Sequence, residues 1–240
     1  MAAPENTLAG LRKAKELGCS WVEFDVRLTA DGAPILLHDD RLERTTSGYG
    51  EAAALSLARV REYDAGGWFA PAFAGERVPS LEEAVAALAA LGLGANVELK
   101  AARHRVAATG HAAADLLARI WPASLPALLI SSFLDGALAA ARDRAPQLAR
   151  GLLFRSVPRN WLARVEALGC ATVHADHRRL RPGMVAEIRD RGYAVLAYTV
   201  NDAARAATLF SWGVASVFSD VPHRLLAGRS GGGERPEGPR

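Results

Sequence analysis

Helix and strand patterns alternate regularly from residue 80 to residue 227, and this alternation constrains the fold more than any other feature of the chain. The capping box Ser80-Leu81-Glu82-Glu83 predicts where the first of these helices begins. Apolar, β-prone runs then separate the helical stretches, which is typical of a parallel sheet covered by helices. The predicted strands in this part of the chain lie at 95–100, 127–131, 151–154, 171–174, 194–199 and 215–219.

An earlier strand at 21–28 raises the expected number of parallel strands to seven, one fewer than a closed (β/α) barrel needs. The first recognisable element is a helix that begins after Asn6 or Thr7, so we expect the missing strand at the amino terminus. Seven parallel strands could also form an open, doubly wound sheet, but the sequence has no Gly-x-Gly-x-x-Gly after a strand and no P-loop. Polar residues end strand after strand, as in barrel enzymes, whose sites use many strand ends. We therefore predict an α/β fold of the TIM-like (β/α) barrel type.

The segment from residue 21 to residue 38 predicts a β-hairpin, because Asp31-Gly32, a dipeptide that favours two-residue turns, joins two β-prone runs. With Asp31 and Gly32 as the loop, Asp25 would lie directly opposite His38. Glu23 is two residues from Asp25 and therefore shares its strand face. Two carboxylates and an imidazole would then converge, which suits metal binding and proton transfer. The alternative is that Glu23 and Asp25 form the solvent-exposed face of a half-buried strand.

The composition indicates a globular protein, because 50% of the 240 residues are hydrophobic and 23% are charged. The net charge of +3 fits an anionic substrate but is too small and too scattered to indicate nucleic-acid binding. Since the sequence has no apolar run of about 18 residues and no leader-like start, we expect a cytoplasmic protein without a stable membrane anchor. We predict a single domain over 1–227 and a disordered tail over 228–240.

Short motifs follow one another in a fixed order between Pro4 and about Leu226. They are Pro4-Glu5-Asn6-Thr7-Leu8, Glu23-x-Asp25-Val26, Thr29-x-Asp31-Gly32, Leu37-His38-Asp39, Leu42-x-Arg44-Thr45-Thr46, Gly67-Trp68-Phe69, Pro79-Ser80-Leu81-Glu82-Glu83, Asn96-Val97-Glu98-Leu99-Lys100, Ser131-Ser132-Phe133 and Thr199-Val200-Asn201. In this number and order they resemble the glycerophosphodiester phosphodiesterase family. The resemblance implies a TIM-like barrel of the phospholipase-C-like (PLC-like) phosphodiesterase type, with the hairpin as an inserted arm.

The resemblance also implies a set of site residues. A divalent cation, Mg²⁺ or Ca²⁺, would be held by Glu23, Asp25 and Glu98, and His38 would be one of two catalytic imidazoles. The other imidazole would belong to a His-Arg-Gly block that ends the first strand, and this block is absent from the sequence. We expect a start site assigned too late rather than a truncated gene.

Four further residues are predicted to contact substrate, namely Lys100, Glu5, Phe133 and Trp68. Lys100 lies two residues after Glu98 on the same strand face, where it could stabilise charge on the phosphoryl oxygens, although an ion pair at a strand end is the simpler interpretation. Glu5 could form part of the site wall or only favour a helix amino terminus. Trp68 could line the alcohol pocket or anchor the long segment that contains it.

The function implied by the resemblance is metal-dependent hydrolysis of glycerophosphodiesters to sn-glycerol 3-phosphate and an alcohol, with histidine acid–base catalysis. A second hypothesis is an N-terminally truncated, catalytically impaired barrel that only binds phosphate esters. A third, ranked lower, is a phosphodiesterase of the same fold that acts on lysophospholipids. In each case the expected partner is a small molecule, and the sequence indicates no particular oligomeric state.

Overall fold

One curled, eight-stranded sheet forms the centre of the protein in a computed structural model that describes residues 1–126 and 128–227. The strands are β1 (Trp21–Leu28), β2 (Pro34–Leu36), β3 (Gly94–Leu99), β4 (Leu129–Ser132), β5 (Ala149–Phe154), β6 (Thr172–Asp176), β7 (Ala194–Tyr198) and β8 (Ser216–Val217). The α-helices are α1 (Leu8–Glu16), α2 (Leu57–Val60), α3 (Leu81–Leu91), α4 (Val106–Ile120), α5 (Asp135–Arg144), α6 (Trp161–Leu168), α7 (Pro182–Asp190), α8 (Ala203–Ser211) and α9 (Pro222–Ala227). Short 3₁₀ turns span Ala52–Ala54, Pro71–Phe73 and Arg103–Arg105.

The strand order is β2-β1-β3-β4-β5-β6-β7-β8, and every neighbouring pair except β1–β2 is parallel. The prediction of seven parallel strands with an antiparallel hairpin return is therefore confirmed. Within the described ranges, no backbone pairing joins β1 to β8, where an eighth parallel strand would be needed to close the barrel. The fold is thus a TIM-like barrel that is open along one side.

Alternation along the strands separates an apolar outer face from a polar inner face. In β3, Val97 and Leu99 pack in the main hydrophobic core with the surrounding helices. Asn96 and Glu98 lie between them in sequence and therefore point the other way, into the barrel, where both are buried. The same rule places Ser131 of β4, the partner of Glu98, and His174 of β6 on the inner face, whereas Arg150 of β5 lies on the outer face and donates to the carbonyl of Leu168.

The hairpin register differs by one residue from the predicted register, so that prediction is wrong. Val26 pairs with Leu36, and the N–H of Leu37 donates to the carbonyl of Asp25 at 3.1 Å. Asp25 therefore lies opposite Leu37 and not opposite His38. Because β2 ends at Leu36, His38 lies beyond the strand. The alternation of side chains along β2 therefore does not determine the direction of the His38 side chain.

The physical reason for the register is the length of the hairpin loop. Thr29 and Ala33 close the loop through a backbone hydrogen bond of 3.0 Å, which leaves three loop residues instead of two. Gly32 takes a φ of +80°, the left-handed conformation that follows a type I turn in three-residue loops. The carboxylate of Asp31 accepts from the N–H of Leu57 at 3.0 Å and holds the loop against α2.

The segment between β2 and α3 forms a small hydrophobic cluster of its own beside the barrel. Its buried members are Ile35, Leu37, Leu42, Ala52, Val60, Ala65 and Val78. The segment ends at the predicted capping box, in which the N–H of Glu83 donates to the Ser80 hydroxyl and the Glu83 carboxylate accepts from the Ser80 N–H. Leu37 and Leu42, both buried in this cluster, anchor the chain on the two sides of His38.

Two sequence predictions concern residues that the structure covers only partly. The strand predicted at 127–131 is observed at Leu129–Ser132, and Ala127 lies outside the described residues. The tail predicted at 228–240 also lies outside them, and the single domain over 1–227 stays a prediction. Of the helices in the described part of the chain, none has the length and hydropathy that crossing a bilayer requires.

Candidate active site

Three acidic side chains converge at the carboxyl ends of β1 and β3. Asp25 and Glu98 are direct partners in the parallel pairing of the two strands, and Glu23 lies two residues earlier on the same face of β1. One carboxylate oxygen from each residue lies within 4.8 Å of the other two. We call Glu23, Asp25 and Glu98 the acidic triad. The structure therefore brings together all three residues that were predicted to hold a metal ion.

A large groove of about 1440 Å³ contains the acidic triad and extends along the open side of the barrel between β1 and β8. His38, Lys100 and Phe133 also line this groove, which we call the catalytic groove because it contains the predicted catalytic and metal-binding residues. Asp25 and Glu98 are buried, whereas Glu23 is exposed because it faces the opening that the unpaired strand edges leave. The triad is therefore accessible from this side.

Lys100 is the cation that neutralises part of the triad. Its Nζ atom lies 2.6 Å from Oε1 of Glu98 and 3.4 Å from Oδ1 of Asp25. Burial disfavours the charged ammonium group, but attraction to Glu98 and Asp25 outweighs it and raises the pKa of Lys100. Lys100 is therefore charged at neutral pH and faces the predicted metal ligands.

The charges of the triad remain unbalanced even with Lys100 in place. Although the Glu23 residue borders the opening, protein atoms crowd around its carboxylate, and this loss of solvation, followed by repulsion from Asp25 and Glu98, raises the pKa of Glu23 well above its usual range. Burial also raises the pKa of Glu98, although attraction to Lys100 opposes the effect. Three crowded carboxylate oxygens that repel one another are a donor set that fits a hard divalent cation, which would relieve the repulsion.

His38 lies between the triad and a chain of ion pairs. Its Nδ1 atom is 2.6 Å from Oδ1 of Asp39, and its Nε2 atom is 3.3 Å from Nζ of Lys100. Arg44 binds Asp39 at 2.6 Å, and hydrogen bonds from Arg44 lower the pKa of Asp39 to about 2. Arg44 also binds both carboxylate oxygens of Glu5, at 2.7 and 3.0 Å. The imidazole is therefore held through Nδ1, and its Nε2 atom faces the triad.

Asn6 is a site residue that the sequence analysis missed, since it considered Asn6 only as a helix cap. The observed cap is Thr7, whose hydroxyl accepts from the N–H of Gly10. The Asn6 side chain instead binds Asp25 twice, donating from Nδ2 to Oδ2 at 3.0 Å and accepting from the backbone N–H at 2.9 Å. A φ of +54°, which asparagine tolerates better than most residues, directs it there. Asn6 thus orients one carboxylate of the triad.

The residues predicted to contact substrate lie in different places. Phe133 lines the catalytic groove, and the centre of its ring is 5.7 Å from Nζ of Lys100. Glu5 also lines the groove, but its carboxylate is bound by Arg44. Trp68 is not among the described residues that line the groove, and its indole N–H donates to the carbonyl of Ala65 at 2.9 Å. The position of Trp68 favours the interpretation that it anchors the long segment.

Comparison with known proteins assigns the chain to a family. The model of the glycerophosphoryl diester phosphodiesterase family matches residues 1–224. The chain belongs to this family. It is 30% identical over 227 residues to a glycerophosphodiester phosphodiesterase of Caldanaerobacter subterraneus, a match that covers 93% of this chain and 91% of the relative. A Bacillus subtilis glycerophosphodiester phosphodiesterase is 30% identical over an alignment of 245 positions, and this alignment covers 94% of this chain and 83% of that protein.

A solved structure of a family relative agrees closely with the fold. It is the phosphodiesterase of Oleispira antarctica in complex with its product sn-glycerol 3-phosphate, which is 39% identical to this chain and superimposes with a TM-score of 0.92. The superposition covers 95% of this chain and 92% of the relative. The family fold predicted from the sequence motifs is therefore confirmed.

Proposed function

We propose that this protein hydrolyses glycerophosphodiesters to sn-glycerol 3-phosphate and an alcohol, and that the reaction depends on a divalent cation, Mg²⁺ or Ca²⁺. The observation that supports this most is the convergence of three carboxylates, one lysine and one imidazole in a groove at the carboxyl ends of barrel strands. Family membership and the product complex of the Oleispira antarctica relative support the same chemistry.

The acidic triad would hold the cation. Asn6 fixes the orientation of the Asp25 carboxylate, and the pairing of β1 with β3 fixes its position relative to Glu98. When bound, a hard divalent cation neutralises the charge of a phosphodiester and polarises its phosphoryl oxygens. This part of the groove suits a divalent cation because its carboxylates outnumber the nearby cationic side chains.

Lys100 and His38 supply the remaining chemistry. The Lys100 ammonium group, oriented by Glu98, can stabilise negative charge that develops on the phosphoryl oxygens in the transition state. Asp39 accepts a hydrogen bond from Nδ1–H of His38, which leaves the lone pair of Nε2 directed toward the groove. Nε2 can then take a proton from the attacking hydroxyl group or return it to the leaving alcohol.

One observation favours a second candidate function, in which the protein binds phosphate esters but turns them over poorly. Among the described residues that line the catalytic groove, His38 is the one imidazole, and the barrel is open beside it. A diester hydrolysis needs both a proton acceptor and a proton donor, so a site with one such group is slowed. Product binding without turnover would favour this candidate.

The test is to measure release of sn-glycerol 3-phosphate from a glycerophosphodiester such as glycerophosphoethanolamine. The purified protein is first treated with a chelator and then supplied with Mg²⁺ or Ca²⁺. The proposed function predicts release that needs the added cation. Binding of sn-glycerol 3-phosphate without any release would support the second candidate, and neither binding nor release would contradict both.

A further inference from the structure

A second cavity borders the catalytic groove on the side of the hairpin. It has a volume of about 270 Å³ and lies between the end of β1, the segment around residues 40–53 and the 3₁₀ turn Arg103–Arg105. Lys100 lines both this cavity and the catalytic groove. The two spaces therefore adjoin at the residue that also contacts the acidic triad.

Cations outnumber carboxylates in the lining of this second cavity, which we call the basic pocket. Its four cationic residues are Arg27, Lys100, Arg103 and Arg105, and its two acidic residues are Asp40 and Glu51. Two of the cations are neutralised nearby, because Arg27 forms an ion pair with Asp40 and Lys100 binds Glu98. Arg103 and Arg105 are the two lining cations that remain, and they outnumber Glu51, the one lining carboxylate left over, by one charge.

Neither of these two arginines has an ion-pair partner within 4.0 Å among residues 1–126 and 128–227. Arg105 donates to the backbone carbonyl of Thr29 at 2.6 Å, which fixes the guanidinium group without neutralising it. Its charge also acts on Asp31, whose carboxylate already accepts from the Thr29 hydroxyl and the N–H of Leu57. The Arg103 side chain is exposed. Two guanidinium groups are thus available to an incoming anion.

The rest of the lining argues against a cationic occupant. None of the residues that line the basic pocket is Phe, Tyr or Trp, and apart from its charged residues the lining consists of aliphatic side chains, one threonine and His104. Quaternary ammonium groups such as choline are recognised by aromatic rings. A volume of 270 Å³ is just below the usual range for ligand pockets, about 300–1,000 Å³, so a small polar group fits better than an acyl chain.

We propose that the basic pocket binds an anionic group on the alcohol portion of the substrate, so that the enzyme prefers glycerophosphodiesters whose alcohol bears a carboxylate. This inference rests on the proposed function. With the phosphodiester at the acidic triad and Lys100, the alcohol portion would extend past Lys100 into the basic pocket. Arg103 and Arg105 would bind the carboxylate, because planar guanidinium groups match carboxylates through paired hydrogen bonds.

The experiment compares two substrates that differ by one carboxylate, glycerophosphoserine and glycerophosphoethanolamine. We expect the wild-type kcat/KM for the serine diester to exceed that for the ethanolamine diester by roughly tenfold, as one charge-assisted contact of this kind provides. The variants Arg103→Gln and Arg105→Gln should each reduce this ratio at least threefold, mainly through KM. Arg119→Gln, an exposed arginine of α4 that lies outside the basic pocket, is the matched control and should leave the ratio unchanged.

Equilibrium binding of the same two diesters tests the preference for the serine diester without relying on turnover. In the His38→Ala background, calorimetry with Ca²⁺ present should give a lower Kd for the serine diester, and Arg103→Gln should remove the difference. Hydrolysis of both diesters at equal efficiency, or a ratio that survives both arginine substitutions, would overturn the inference and leave the proposed function intact. A preserved difference in Kd, together with no hydrolysis of either diester by the wild-type protein, would support the basic pocket and contradict the proposed function.

Discussion

The Nδ1 atom of His38 lies 2.6 Å from Oδ1 of Asp39, and this contact decides which nitrogen of the imidazole faces the acidic triad. Asp39 is a carboxylate at neutral pH, because hydrogen bonds from Arg44 lower its pKa to about 2. A carboxylate can only accept, so Nδ1 keeps its proton and Nε2 is the atom available for proton transfer.

The first prediction concerns His38. The variant His38→Ala should lower kcat by about 10²–10⁴, the usual contribution of a general acid or base. Its affinity for divalent cations should stay the same, because His38 is not part of the acidic triad. Steady-state kinetics and calorimetry measure the two quantities. His111→Ala, on α4 and outside both cavities, is the control, and wild-type turnover in His38→Ala would remove His38 from the mechanism.

The second prediction concerns Arg44, which joins Glu5 to Asp39. Arg44→Gln should lower kcat roughly tenfold with little change in KM, because His38 loses its orientation while the triad is unchanged. Arg44→Lys should recover only part of this loss, since an ammonium group cannot bind two carboxylates with the geometry of a guanidinium. Arg41→Gln is a matched control, because Arg41 pairs with Glu43 in the same segment. Equal kcat values for Arg44→Gln and Arg41→Gln would contradict the role of Arg44 in positioning His38.

The third prediction concerns the pH dependence of stability. His174 lies fully buried on β6, where burial lowers its pKa to about 3. The unfolded chain takes up a proton on this residue near pH 6.5 and the folded protein does not, so the free energy of unfolding falls as the pH decreases from about 6.5 toward 3. At pH 5 the loss from this residue should be about 2 kcal/mol.

Urea unfolding at pH 7.5 and pH 5.0 measures this effect. His174→Gln should lose about 2 kcal/mol less than the wild type between the two pH values, whatever its stability at pH 7.5. His223→Gln, which replaces an exposed histidine of α9, should show the full wild-type difference. If His174→Gln and the wild type lost equal stability, the buried imidazole would not be the acid-sensitive group.

The fourth prediction compares two helical glycines. At Gly110 in α4 an added methyl group would lie 2.3 Å from the backbone carbonyl oxygen of Ala137 in α5, so Gly110→Ala should destabilise the protein by about 1–3 kcal/mol. Because the added methyl group would meet rigid backbone, the steric cost lies at or above the upper end of this range and outweighs the gain of about 1 kcal/mol that alanine brings to a helix interior. At Gly183 in α7 nothing lies within 4 Å of the added methyl group, so Gly183→Ala should be neutral or slightly stabilising. Chemical denaturation of both variants tests the difference in sign.

Much of the fold could be predicted because it depends on repeated local patterns. The alternation after Ser80 and the inward-facing polar residues of β3 follow from hydrophobic periodicity, which acts over a few residues. The hairpin register could not be predicted, because Asp31-Gly32 is compatible with both two-residue and three-residue loops. The tertiary contact between Asp31 and Leu57, 26 residues away, accompanies the observed three-residue loop.

In the candidate site, too, local patterns predict some features, whereas others depend on contacts between distant parts of the chain. The acidic triad and His38 lie in recognisable motifs, and Asp25 meets Glu98 because parallel strands align them. The contacts of Asn6 with Asp25 and of Arg44 with Glu5 span 19 and 39 residues, respectively. They depend on how α1 and the long segment pack against the barrel, which no local pattern specifies.

The most direct test of the account is calorimetric titration of Ca²⁺ or Mg²⁺ into the protein after chelator treatment. We predict one site per chain in the wild type. In the double variant Glu23→Gln/Glu98→Gln binding should be lost and the melting temperature without metal unchanged or higher, because two repelling carboxylates are removed. The pair Glu62→Gln/Glu82→Gln, both exposed and outside the groove, is the control. Undiminished binding of the cation by the Glu23→Gln/Glu98→Gln variant would contradict the account.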